Sequence, residues 1–265
     1  MIINITYDQP DNQLPIGFKA TIDAAVQFLV ANYSDAITLN FEVGFGTIGG
    51  SSLSPGALGE SSFSLVGTNY SQLRGALFSD ASTADDSSAN ASLPINNPTP
   101  STQYFMTRAQ GKALGLVSAN NAQLDGAMGF NSTAPFDYDN SNGVSPGTYD
   151  FFGVILHEMS ELMGRVFGQG SNLALDLFHF SSPGVRTFSA TTPGYFSIDN
   201  GVTDLADFNT NTSGDPSDWA SSQGFDAFRA FAPSGRVLQI SNADLTTLDV
   251  IGYNRITASP PPPPP

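Results

Sequence analysis

The chain has 265 residues, with 24 acidic against 9 basic side chains and a formal net charge of −15. That charge argues against nucleic acid and anionic membrane surfaces as partners. The absence of cysteine rules out disulfides and a thiolate metal site, and no run of the ~18 apolar residues needed for a membrane span is present.

In chain order, Ile2 to Tyr7 alternates like a strand and lacks the basic flank of a secretory leader. Gly17 to Tyr33 predicts a helix with Phe18, Ile22, Ala25, Val26 and Leu29 on one face. Ile37 to Phe45 alternates as a half-buried strand, and Ser61 to Val66 predicts another, shorter one. Tyr70 to Phe78 predicts a short helix. Ser79 to Thr102, rich in Ser, Ala, Asn, Asp and Pro, predicts a long surface loop. Thr107 to Leu114 reads as a short helix and Gln123 to Phe130 as a strand. The loop from Asn131 to Tyr149 carries Asp137, Asp139, Asn140 and Asn142, oxygen donors for a structural calcium, though without EF-hand spacing. Ser259 to Pro265 reads as a stiff polyproline spacer, after which a further module is expected.

The segment 150–168 carries the chemistry. Phe151, Phe152, Ile155, Met159, Leu162, Met163 and Val166 recur at roughly helical spacing, and Gly164 and Gly168 can end the helix. Within it, His157-Glu158-Met159-Ser160-Glu161-Leu162-Met163-Gly164-Arg165 reads H-E-x-x-E-x-x-G-R. Residues four apart share a helix face, so His157 and Glu161 can hold one metal ion between them. Glu158 stands where the H-E-x-x-H enzymes place the general base for a metal-activated water. An acidic residue four after a histidine is also an ordinary surface ion pair. Two glutamates and one of the chain's 2 histidines on an apolar helix nevertheless favour a metal, because buried charge needs a partner.

The order strand, helix, strands, then a strand just before the H-E-x-x helix resembles the N-terminal half of zincin metallopeptidases, metzincins included. The later segments Asp218-Trp219-Ala220, Asp226 to Pro233 and Ile240 to Tyr253 resemble the end of leishmanolysin-like bacterial metallopeptidases, with Asp218 where that family has a histidine ligand. The chain is also similar to secreted bacterial proteins with an H-E-[IM]-S-E-[VL]-M-G-R helix. No methionine follows Met163, so the family's methionine turn is missing.

The resemblance implies an α+β, zincin-like fold: a mixed twisted sheet with an active-site helix in residues 1–168, and a loop-rich C-terminal subdomain over 169–257. It implies a secreted, monomeric endopeptidase acting on protein or peptide substrates, with one zinc per chain; a non-catalytic zincin-like surface or binding module is the alternative. The third ligand is Asp218 by this alignment, with His179 and Asp176 as alternatives; Asp176 is also a candidate hydrogen-bond acceptor for a ligand. Gly126, Ala127, Met128 and Gly129 are expected on an antiparallel edge strand that binds extended substrate. Tyr195 and Tyr253 are candidate oxyanion donors, and Arg165 is expected to pair with an acidic neighbour after the helix. A His/Glu/Asp set brings two negative charges, which shifts preference toward manganese or calcium and weakens acidification of a bound water.

Overall fold

In the computed structural model, which describes residues 1–168 and 171–257, the alternation at the start of the chain becomes β1 (Ile2–Tyr7). Helix α1 (Phe18–Asn32) buries Phe18, Thr21, Ile22, Ala25 and Leu29. It returns the chain to β2 (Thr38–Phe45), which lies parallel to β1 from Ile2↔Thr38 to Tyr7↔Val43. The expected strand near residue 61 is two strands, β3 (Gly59–Phe63) and β4 (Leu65–Thr68).

The next two segments are helical: α2 (Tyr70–Asp80) and α3 (Ala84–Ser92). The second occupies what composition reads as loop. Its start is fixed by a capping box, Thr83 accepting from the Asp86 N–H and Asp86 from Thr83. It buries only Asp86, Ala89 and Asn90, too little apolar periodicity to be visible in sequence. Strand β5 (Tyr104–Thr107) pairs antiparallel with β4 and leads into α4 (Arg108–Ala113).

Strand β6 (Gly126–Phe130) is where expectation and structure differ most. The sheet order is β1-β2-β6-β3, so β6 lies inside the sheet, parallel to β2 and antiparallel to β3, with all its residues buried. Its glycines serve packing. A Cβ on Gly126 would lie 2.7 Å from Leu162 Cδ2, and one on Gly129 2.4 Å from the Thr47 carbonyl oxygen. The antiparallel edge is β3, supplied from much earlier in the chain. Gly126, Ala127, Met128 and Gly129 are therefore covered by neighbouring strands and do not line the cleft.

Helix α5 (Phe151–Leu162) packs against α1, β3 and β6. It is anchored by Phe151, whose ring lies 4.9–5.0 Å from those of Phe18, Phe130, Phe136 and Tyr138. The preceding loop holds its own carboxylates: Asp137 accepts from the N–H groups of Asp139 and Ser145, and Asp139 from Ser141. These bonds engage Asp137 and Asp139, and no cluster of three or more histidine or carboxylate ligands forms there among the described residues.

The C-terminal part is loop-rich, as expected. Four short strands, Val185–Arg186, His179–Ser182, Tyr195–Phe196 and Ala206–Asp207, form one sheet in that order. Isolated bridges then join Phe208 to Trp219 and Trp219 to Arg229. Helix α6 (Asn242–Val250) opens on a Ser241/Asp244 capping box. The chain then returns to the end of α1, where the Ser34 N–H donates to the Asn254 carbonyl (2.9 Å). One apolar core includes Phe18, Phe130 and Ile155 together with Phe178, Trp219 and Ile251. Among the described residues no helix is long and apolar enough to cross a membrane. The fold is mixed α/β with several open sheets, and the polyproline tail lies outside the described residues.

Candidate metal centre

Both ends of α5 are fixed tightly. Asp150 accepts from the N–H groups of Gly153 (3.4 Å) and Leu238 (2.8 Å), joining the start of the helix to the C-terminal part. At the other end Gly164 takes φ 111°, a conformation that favours glycine. The chain reverses there, the Arg165 N–H bonds the Ser160 carbonyl (3.0 Å), and the Arg165 side chain folds back beneath the helix. The apolar face of α5 enters the core. His157, Glu158 and Glu161 line a cleft of about 870 Å³. Its walls are β3 with the residues before it, and two C-terminal segments that include Asp218 and Ala227.

Three side chains converge in this cleft. His157 Nε2 lies 3.3 Å from Asp218 Oδ1 and 3.5 Å from Glu161 Oε1. One ligand atom from each of the three residues lies within 4.8 Å of the others. His157 Nδ1 is 2.9 Å from the Ala227 carbonyl oxygen. A carbonyl only accepts, so Nδ1 carries a proton, and in the neutral ring the lone pair is on Nε2. That lone pair faces two carboxylate oxygens, an arrangement that needs either a second ring proton or a cation between them.

Each member is held by further bonds. Ser61 Oγ on β3 donates to Glu161 Oε2 (2.6 Å). Arg165, with no exposed surface, donates to Asp218 Oδ1 (2.7 Å), Glu161 Oε1 (3.4 Å) and Ser160 Oγ (2.7 Å), and its guanidinium lies 4.6 Å from the Phe228 ring centre. Asp218 and Ala227 are set by two buried carboxylates: Asp244 accepts from Trp219 Nε1 (2.6 Å), and Asp226 accepts from the Phe228 N–H (2.7 Å). Burial works against the His157 imidazolium, but Asp218 overrides it and raises the pKa well above the usual histidine value. Burial would raise Asp218 too, but His157 and Arg165 hold it below the usual carboxylate range. Glu158 goes the other way: burial, reinforced by Glu161, pushes it well up. Its side chain lies against β3, where a Cβ on Gly59 would come 2.5 Å from Glu158 Oε1.

The other candidates lie elsewhere. His179 is buried at the start of its strand, stacked on Phe167 at 4.8 Å, with neither ring nitrogen hydrogen-bonded, and burial lowers its pKa to about 4. Asp176 accepts from the Leu173 N–H (2.7 Å) and the Gly168 N–H (3.3 Å), bracing the chain after α5 instead of serving a ligand. Tyr195 donates its hydroxyl to the Gly201 carbonyl (2.7 Å). Tyr253 is fully buried against Tyr33. Neither lines the cleft; the tyrosine that does is Tyr149. Arg165 does pair with an acidic residue beyond the helix, Asp218, and with Glu161 inside the motif as well. Sequence reasoning missed Ser61, Gly59 and the Ala227 carbonyl. Nothing in Gly59-Glu60-Ser61-Ser62-Phe63 signals that this strand flanks the motif helix. No protein-family model, curated protein or solved structure matches the chain.

Proposed function

We propose that this protein is a secreted metal-dependent endopeptidase of zincin-like build, with His157, Glu161 and Asp218 holding one zinc ion per chain. The observation that carries the reading is the bond from His157 Nδ1 to the Ala227 carbonyl oxygen. It directs the Nε2 lone pair at two carboxylates, the orientation a metal-ligating histidine requires. The donor set fits a divalent cation: one nitrogen and two carboxylates, each carboxylate braced by hydrogen bonds from the protein. Zinc, when bound, supplies Lewis acidity that polarises a carbonyl and acidifies a water.

The chain's own residues do the rest. Glu158 lines the cleft one position after the ligand His157. It takes a proton from the attacking water and passes it to the leaving amine. The free edge of β3 binds extended peptide by strand addition, the role expected of residues 126–129. Tyr149 takes the oxyanion-donor role expected of Tyr195 or Tyr253.

The test is elemental mass spectrometry of protein purified without chelator or added metal. About one zinc per chain, lost on His157→Ala, supports the peptidase. Calcium alone, or no metal, sinks it and leaves a zincin-like binding module.

A further inference from the structure

We propose that Ser61, which holds one oxygen of Glu161, and Arg165, which offsets the charge of the two carboxylates, are positioning residues that set the centre to take zinc and reject calcium. The proposal rests on the metal reading above and concerns which ion the centre accepts. A His/Glu/Asp set taken alone brings two negative charges and oxygen-rich donors, a combination that suits hard cations. The surroundings of those oxygens reverse that preference.

Glu161 has its oxygens committed in different directions. Oε2 receives the Ser61 hydroxyl at 2.6 Å, while Oε1 faces His157 Nε2 at 3.5 Å. Asp218 presents Oδ1 to His157, and the same atom is gripped by the Arg165 guanidinium at 2.7 Å. Arg165 cannot swing away. It has no exposed surface, its Nε is tied to Ser160 Oγ, and it lies over the Phe228 ring. Ser61 thus leaves Glu161 a single oxygen for a metal, while Arg165 sets its charge against Asp218 Oδ1 and Glu161 Oε1, the two oxygens nearest His157 Nε2.

Three donors plus one open position match the tetrahedral preference of zinc. Calcium takes 6–8 oxygens, a number reached more readily when carboxylates bind through both atoms. To bind it through both oxygens, Glu161 must give up Ser61. Arg165 also cancels one of the two ligand charges, bringing the set to the net charge of a two-histidine, one-glutamate site.

Calorimetric titration of the metal-free full chain with zinc chloride and with calcium chloride tests this. The unsubstituted protein should bind zinc and show no saturable uptake of calcium at about 1 mM. Arg165→Met keeps side-chain length and removes the donors; the calcium-to-zinc affinity ratio should rise at least about tenfold. Ser61→Ala lies on an edge strand and keeps the arginine, so it tests the idea even if Arg165→Met fails to fold; its ratio should move the same way by less. Calcium binding as tight as zinc in the unsubstituted protein overturns the proposal. So does an unchanged ratio in Ser61→Ala together with any folded Arg165→Met. Binding of neither ion removes the metal centre itself, an outcome distinct from an ion bound without selectivity.

Discussion

Gly59→Ala tests the packing of Glu158 without touching a metal ligand. The backbone at Gly59 is not in the left-handed region, so alanine meets no conformational penalty there. The added methyl would lie 2.5 Å from Glu158 Oε1 and 2.9 Å from both Cδ and Cγ. The carboxylate end can rotate aside, but Cγ cannot move without shifting the helix or the strand. Overpacking of this kind costs about 1–3 kcal/mol, a Tm lower by roughly 3–10 °C for a chain of this size. Glu158→Ala removes every atom the methyl strikes, so the two substitutions together should cost less than their sum by about 1–2 kcal/mol. Urea melts of the four proteins measure this coupling directly. Zinc content should stay at the unsubstituted level in Gly59→Ala while peptide hydrolysis falls. Additive costs, or loss of zinc along with activity, would refute the packing of Glu158 against β3 described above.

Three further outcomes are expected. Glu158→Gln should retain the metal and lose hydrolysis by at least about 10²-fold; retained hydrolysis assigns the base elsewhere. Lys112→Met should cost about 3–5 kcal/mol in urea melts, because the Lys112–Asp125 pair (2.6 Å to Oδ2) is fully buried, Oδ2 would keep only the Asn40 N–H (2.8 Å), and Oδ1 has no partner; a cost under about 1 kcal/mol would mean that water reaches the aspartate. For pH, burial raises Asp80, Asp176 and Asp249 from 3.8 to about 7. A carboxyl with its folded pKa above the unfolded value binds more protons when folded, so each of these three contributes stability that is present at acid pH and is lost as pH rises through about 7. His179, lowered to about 4, opposes this only between about pH 4 and 6.5, where the unfolded chain takes the proton. In chelator, Tm should therefore fall from about pH 6 to 8. Asp176→Asn, whose amide oxygen can take both bonds now accepted by Oδ2, should flatten that slope; an unchanged slope removes Asp176 from the account.

The helix and its candidate ligand pair were legible because local rules suffice: 3.6-residue periodicity and an i, i+4 spacing place His157 and Glu161 on one face without reference to the rest of the chain. Asp218 came from the resemblance of the Asp218-Trp219 segment to a family pattern. The structure supplies its physical basis, a buried tryptophan anchored on Asp244 that fixes the neighbouring carboxylate. Sheet order was not legible. Gly126–Phe130 and Gly59–Phe63 are both short strands containing glycine, and which of them lies at the edge is decided by pairing with partners far away in sequence. Helix α3 was hidden for a different reason: hydrogen bonding at its cap, more than apolar burial, defines it. Ser61 and Ala227 escaped because a serine hydroxyl and a backbone carbonyl acquire their roles only from what the fold puts opposite them.

The parts of the centre are widely separated along the chain: Ser61 on β3, the motif on α5, Asp218 and Ala227 on irregular segments, and Asp244 at the start of α6 beneath them. Contacts of such long range form slowly, because each must first close a long loop. Synthesis proceeds from the N-terminus, so the H-E-x-x-E helix is made well before the residues that complete its centre. A nascent or clipped chain ending before Asp244 has the motif but neither the tryptophan anchor nor a fixed Asp218. The centre is thereby incomplete until nearly all of the chain has folded. On the endopeptidase function proposed above, that order of assembly is a safeguard: unfinished copies, the most easily digested, lack a complete centre with which to attack one another.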